Sequence, residues 1–143
     1  MLVHEILSSK GTDVVFTIRP DATVVELLDA LAEHNVGALV VSSDGLRLEG
    51  IVSERDVVRK LRDADARGKA RVSDIMTTDI HTCAPQDNLG DLMGVMTQYR
   101  VRHVPIVESD RLVGVLSIGD AVKSRMDELE FERDQLTHYL HGQ

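Results

Sequence analysis

The sequence predicts an α+β fold in which two similar units pack about a pseudo-twofold axis, with an extended helix at the C-terminus. Three observations carry this expectation. The stretch Gly50-Ile-Val-Ser-Glu-Arg-Asp56 returns as Gly114-Val-Leu-Ser-Ile-Gly-Asp120. At an offset of 65, Pro20 falls on Pro85, Thr23 on Asn88, Val24 on Leu89, Leu27 on Leu92, Leu28 on Met93 and Leu31 on Met96. Each half then carries two short apolar runs split by a polar turn, "ALVV" and "LEGIV" in the first, "HVPIV" and "LVGVL" in the second.

Each element follows from a local pattern. "VHEIL" from Val3 and "VSDIM" from Val72 are matching short helices, and extended segments follow them at Val14 to Ile18 and Ile80 to Cys83. The aligned apolar residues recur at i, i+3, i+4 and i+7, so each half has an amphipathic helix with one buried face. Thr23 and Asn88 are N-caps, each three residues past a proline that closes an extended segment. The apolar runs beyond are paired strands, and their turns "SSDGLR" and "ESDR" suit close connections. Gly50 meets Gly114 at an offset of 64, so the first turn holds one extra residue, which a loop accommodates. A helix begins near Glu54 in one half and near Ile118 in the other. "RDADARGKAR" is a charged linker in which Gly68 stops a helix. The expected organisation is a first repeat with its N-terminal helix over 1–66, a linker over 67–71, a second repeat over 72–125 and a helical extension over 126–143. Units of this size gain stability by packing together through their strands, leaving clefts where they meet.

Composition narrows the function. The chain has 143 residues, 43% hydrophobic and 28% charged, enough for a compact globular unit with a real core. Aromatic residues make up 3% with no Trp, which argues against a base-stacking surface for single-stranded nucleic acid. A net charge of −8 opposes binding to duplex nucleic acid or an anionic membrane. Basic residues cluster only briefly, as at Arg67 to Arg71. One cysteine, Cys83, excludes an intrachain disulfide and fits a reducing compartment. The N-terminal residues lack the pattern of a signal peptide, and no apolar run approaches the roughly 18 residues of a membrane span. A cytoplasmic location is expected.

The repeated stretches, together with "VRHVPIV" from Val101 and "VSDIM" from Val72, resemble the CBS domain pair, named after cystathionine β-synthase and also called a Bateman module. The likeness covers about residues 1 to 125. It implies a stand-alone pair of βαββα repeats that binds an adenosine-containing ligand (AMP, ADP, ATP, NAD or S-adenosylmethionine) in clefts between repeats. No required cofactor, metal or catalysis is implied, and with no fused catalytic domain the signal passes to a separate effector protein.

The resemblance also implies site residues: Ser53 with Asp56 at one site and Ser117 with Asp120 at the other. The chemistry agrees, since a carboxylate accepts hydrogen bonds from ribose hydroxyls. A serine at a strand-to-helix junction meets phosphate together with the first helix amides. The glycine permits close backbone approach. Helix capping alone also accounts for Ser and Asp at these positions. Arg100, Arg102 and His103, followed by Val104 and Pro105, match family positions that supply phosphate contacts, the alternative being a solvated start to the strand. The first half has Asn35, Val36, Gly37 and Ala38 there, with no cation, so the two clefts are expected to differ. Arg55 is a candidate to compensate. The resemblance also implies that adenine sits against backbone and apolar groups of the extended segments Val14 to Ile18 and Ile80 to Cys83, with Thr17 and Thr82 as candidate polar contacts and local backbone satisfaction as their alternative.

Other signals carry less. His81 and Cys83 form an H-x-C pair without a second pair at metal-ligand spacing, and nothing orients a base toward Cys83. Met93 and Met96 belong to the core stripe, and His138 and His141 to solvent. No Walker loop or GxGxxG fingerprint occurs. From Val122 onward, Met126, Leu129, Leu136 and Leu140 follow alternating spacings of four and three, with Arg133 in the intervening place. That is a short heptad seam, and a homodimer packed through these tails is expected. Two other functions fit less of the pattern: a nucleotide-metabolising enzyme, for which no nucleophile, metal cluster or base is evident, and a structural dimer that binds no ligand.

Overall fold

A computed structural model describes residues 1–11 and 15–142, apart from the side chains at positions 64 and 67. Twelve elements follow in order: α1 (Val3–Ser9), β1 (Thr17–Ile18), α2 (Val24–His34), β2 (Ala38–Val41), β3 (Gly50–Ser53), α3 (Glu54–Lys60), α4 (Ala64–Lys69), α5 (Val72–Ile75), α6 (Leu89–Tyr99), β4 (His103–Glu108), β5 (Arg111–Ser117) and α7 (Ile118–Leu140). The first sheet has the order β1-β2-β3, with β1 parallel to β2 and β2 antiparallel to β3. The second pairs β4 antiparallel to β5. Its counterpart of β1 is reduced to one parallel bridge, Cys83 to Ile106, held by Cys83 N–H donating to the Pro105 carbonyl and Val107 N–H to that of Cys83.

The caps form as the sequence predicts. The Thr23 side chain accepts from the Glu26 amide, and Asn88 accepts from the Asp91 amide. Helices α2 and α6 each end on a left-handed residue, Asn35 at φ 52° and Arg100 at φ 54°, again 65 positions apart. Val24, Leu27 and Leu31 are buried in one core, and Leu89, Leu92 and Met96 in the other. Leu28 departs from the expected stripe and is 41% exposed. The hairpin between β4 and β5 turns on Ser109 and Asp110, both at positive φ, as its right-handed twist requires.

Gly68 does not stop a helix. It lies inside α4, which Asp63 caps and which continues to Lys69 because Ala70 is pinned beyond it: the Ala70 amide donates to Ala66 and its carbonyl accepts from Val24. The linker is therefore partly helical, and Ala70 belongs to the first core.

The short helices are exchanged between repeats. Although α1 precedes the first repeat, Val3 and Ile6 are buried in the second core, while Val72 and Ile75 of α5 are buried in the first. The docking bonds correspond pairwise. Val3 N–H donates to Asp87 and His4 N–H to Pro85; Val72 N–H donates to Ala22 and Ser73 N–H to Pro20. Division along the chain and division into cores thus differ by this exchange. Its consequence is that Lys10, at the end of α1, lies beside the second repeat.

Candidate functional site

The exchange also explains the repeated glycines. A Cβ on Gly114 would lie 2.5 Å from Leu7 Cδ2, and one on Gly50 would lie 2.8 Å from Met76 Sδ. Leu7 and Met76 are the equivalent last residues of "VHEIL" and "VSDIM", so each glycine makes room for the docked helix.

Where each last strand meets its helix, serine and aspartate form a reciprocal cap. The Ser117 amide and hydroxyl donate to Asp120 Oδ2 at 2.8 and 3.0 Å, and the Asp120 amide donates back to Ser117 Oγ at 3.2 Å. Ser53 and Asp56 repeat this at 2.8, 3.1 and 3.3 Å. Capping is thus realised at both places. The cations around the two carboxylates differ. Lys10 Nζ lies 3.0 Å from Asp120 Oδ2 and also donates to the Val115 carbonyl at 3.0 Å. Asp56 has instead Lys60 at 3.5 Å through Oδ1, and Lys60 donates to the Ile75 carbonyl.

A cleft of about 870 Å³ opens between the repeats, within the range of small-molecule sites. Its first wall comes from Val15, Phe16 and the Asn35–Val40 stretch; its second from β5, Ser117 and Asp120, with His103, Leu7 and Lys10 alongside. Among described residues Asp120 Oδ1 accepts no hydrogen bond, so this cleft-lining carboxylate keeps one free acceptor. Burial pushes the Asp120 carboxyl up, but the Ser117 amide, the Lys10 ammonium and the Ser117 hydroxyl outweigh it and hold its pKa below the ordinary value. Burial pushes the half-buried His103 imidazole down; Asp120 and Glu54 oppose this, and Lys10 and Arg102 add to it. Burial also raises the Cys83 thiol to about 11, helped by Asp87 and Asp91, which makes it a poor nucleophile.

Of the residues expected from sequence, Val36, Gly37, Ala38, His103, Ser117 and Asp120 meet in this cleft. Ser53, Asp56 and the exposed Arg55 belong to the other repeat's helix start and do not line it. Thr17 points elsewhere: pairing with Val40 places it in a shallow depression with Arg19 and Glu26, and Val15 and Phe16 face the cleft instead. Thr82 is exposed and outside the cleft, and of the two extended segments Val14 lies outside the described residues. Arg100 is the exposed left-handed cap of α6, and Arg102 is exposed with its carbonyl accepting from the Ile118 amide. Strand alternation carries Val104 into the second core, and Pro105 is buried against β5, so neither lines the cleft.

Lys10 and Leu7 are cleft residues that sequence reasoning did not find, whereas Val15 and Phe16 come from the extended segment expected to supply apolar groups to adenine. Phe16 also belongs to a repeated pair. Its ring stacks on His34 at 3.7 Å, and His81 stacks on Tyr99 at 3.4 Å. Both pairs obey the offset of 65. For Lys10 no local signal exists, because its place depends on the helix exchange.

Two α+β repeats, each ending in a Ser/Asp-capped helix and enclosing a cleft between them, define a tandem module of paired repeats. The CBS domain profile matches residues 3–63 and 72–127, and the chain belongs to that family as a tandem pair. It is 32% identical to the CBS domain-containing protein YhcV of Bacillus subtilis over 91% of both chains. With the mitochondrial CBS domain-containing protein CBSX3 of Arabidopsis thaliana it shares 33% identity over 98% of this chain and 72% of that one. The crystal structure of the CBS-domain containing protein ATU1752 from Agrobacterium tumefaciens is 40% identical, covers 87% of this chain and 99% of its own, and superposes with a TM-score of 0.79. The CBS domain pair of protein MJ0100, in complex with 5′-methylthioadenosine and S-adenosyl-L-methionine, has the same fold at 24% identity and a TM-score of 0.76, over 90% of this chain and 98% of that one. Inosine-5′-monophosphate dehydrogenase of Methanocaldococcus jannaschii matches over only 25% of its length. No helix among the described residues is long and apolar enough to cross a membrane.

Proposed function

We propose that this chain is a non-catalytic sensor that binds an adenosine-containing compound in the inter-repeat cleft and signals to a separate effector protein. The observation that carries the reading is Asp120, a cleft-lining carboxylate whose contacts with Ser117 and Lys10 among described residues all run through Oδ2; Oδ1 is the acceptor this reading assigns to the ligand. A ribose hydroxyl donating to that oxygen makes a charge-assisted bond. Val36, Gly37 and Ala38 offer apolar surface and backbone groups to the base. The ligands bound by MJ0100 share an adenosine moiety, which supports this class for a chain of the same fold. AMP, ADP, ATP, NAD and S-adenosylmethionine are the members to test. Ligand shifts the packing of the repeats only if it binds one arrangement more tightly than another.

The exposed seam of α7 supports a homodimer: Val122 and Leu129 are 48% exposed, Met126 54%, Leu136 59% and Leu140 70%. A second copy covering this face removes apolar surface from water. The single buried thiol suits a cytoplasmic setting. Calorimetry with the five ligands tests the reading. Binding of at least one, weakened by Asp120→Ala, supports it, and no binding by any refutes it. Chromatography after incubation shows the ligand unchanged if the chain is not an enzyme.

A further inference from the structure

The cleft offers a phosphate no cation, among described residues, that is not already paired. Among described residues its ionisable lining groups are Lys10, His103 and Asp120. Lys10 is already committed, lying 3.0 Å from Asp120 Oδ2 and 3.0 Å from the Val115 carbonyl. His103, half-buried, is held toward its neutral form by desolvation, and Arg102 and Glu54 act on it with opposite signs.

The start of α7, the usual anchor for an anion, is largely spent within the protein. The Ile118 amide donates to the Arg102 carbonyl at 2.8 Å, and the Asp120 amide donates to Ser117 Oγ. The Ser117 hydroxyl proton goes to Asp120. On the facing wall Gly37 stands where the second repeat has Arg102, 65 positions on. The remaining lining is mostly aliphatic. An anionic group entering would be desolvated beside a carboxylate without a compensating charge.

We propose that this cleft selects adenosine compounds without phosphate charge: nucleosides and their neutral or zwitterionic 5′-thio derivatives, in preference to nucleotides. Asp120 Oδ1 takes a ribose hydroxyl, and the aliphatic wall takes an uncharged 5′ substituent. The Lys10–Asp120 pair sets the discrimination by keeping the wall electrically balanced. This proposal rests on the adenosine-binding reading above.

The test titrates adenosine, 5′-methylthioadenosine, AMP and ATP at pH 7.5, followed by the ring resonances of Phe16, which lines this cleft. The other phenylalanine, Phe131, is told apart by Phe131→Leu. Adenosine and methylthioadenosine are expected to bind at least about tenfold more tightly than AMP, with ATP weaker still, as an unpaired charge in a partly buried site implies. Asp120→Asn retains a capping oxygen but releases the Lys10 charge. It should shift the adenosine-to-AMP preference about tenfold toward AMP, and Lys10→Met should shift it the other way. AMP binding as tightly as adenosine, or a preference that neither substitution moves, overturns the charge selection while leaving the adenosine reading intact. No binding by any of the four overturns both.

Discussion

Gly50→Ala tests why a glycine heads each repeated stretch. A Cβ at position 50 would sit 2.8 Å from Met76 Sδ, 3.2 Å from Met76 Cγ and 3.1 Å from the Thr77 carbonyl oxygen. The thioether can swing away, but Thr77 cannot follow. Its amide and carbonyl are both bonded to Ile51, at 2.9 and 3.0 Å, one residue from the substitution. Overpacking against fixed backbone costs about 1–3 kcal/mol. Replacing glycine returns about 0.4–1 kcal/mol through the unfolded chain. The net expectation is a loss of about 1–2 kcal/mol, or about 3–8 °C in Tm for a chain of this length. Gly114→Ala is the control. The atoms nearest its Cβ are Leu7 side-chain carbons, the first at 2.5 Å, and Leu7, half-buried against the second core, presents the far end of a flexible side chain rather than backbone. Its cost should fall below that of Gly50→Ala. Urea denaturation of both variants and of Gly50→Ala/Met76→Ala provides the assay, and the double variant should recover only the Met76 part of the loss. A Gly50→Ala protein as stable as the parent, or a Gly114→Ala protein that loses more, would refute this packing explanation.

Three further outcomes are expected. Arg100→Gly should raise stability by about 0.5–1 kcal/mol, since the left-handed conformation costs an ordinary residue about 1–2 kcal/mol and glycine returns part of that as entropy; a loss on urea denaturation would contradict it. Asp120 has a folded pKa below its unfolded value of about 4, so its contribution is complete above that pH and lost as pH falls through the folded pKa. The stability gap between parent and Asp120→Asn should therefore shrink as pH falls from about 5 to about 2.5, and a constant gap would show the carboxylate to be uninvolved. If the chain forms the proposed homodimer, truncation after Met126 should abolish it in light scattering, because it removes Leu129, Leu136 and Leu140 from the seam; a parent chain that is monomeric, or a dimer unchanged by the truncation, would take the tail out of the argument.

Much of the fold was legible because its determinants are local. The helix stripes, the Thr23 and Asn88 caps and the strand pairs depend on residues within a few positions of one another, and repetition made each pattern readable twice. Gly68 misled because a glycine weakens a helix without ending it when the residues beyond, here Ala70, are pinned by tertiary bonds. Val104 and Pro105 adjoin His103 in sequence, but strand alternation turns Val104 into the second core, and Pro105 is buried.

The sequence by itself determined two α+β repeats, the Ser/Asp junctions and the absence of a cation at Val36 to Ala38. Only the tertiary structure decided that α1 docks on the second repeat and α5 on the first. That choice rests on backbone bonds such as Val3 N–H to Asp87, which any residue except proline can make and which leave no side-chain pattern. From it follow the fit of Leu7 against Gly114 and the Lys10 ion pair with Asp120. The charge balance of the cleft is thus a property of the docked helix, because two residues 110 positions apart become neighbours only when the core of the second repeat closes over α1.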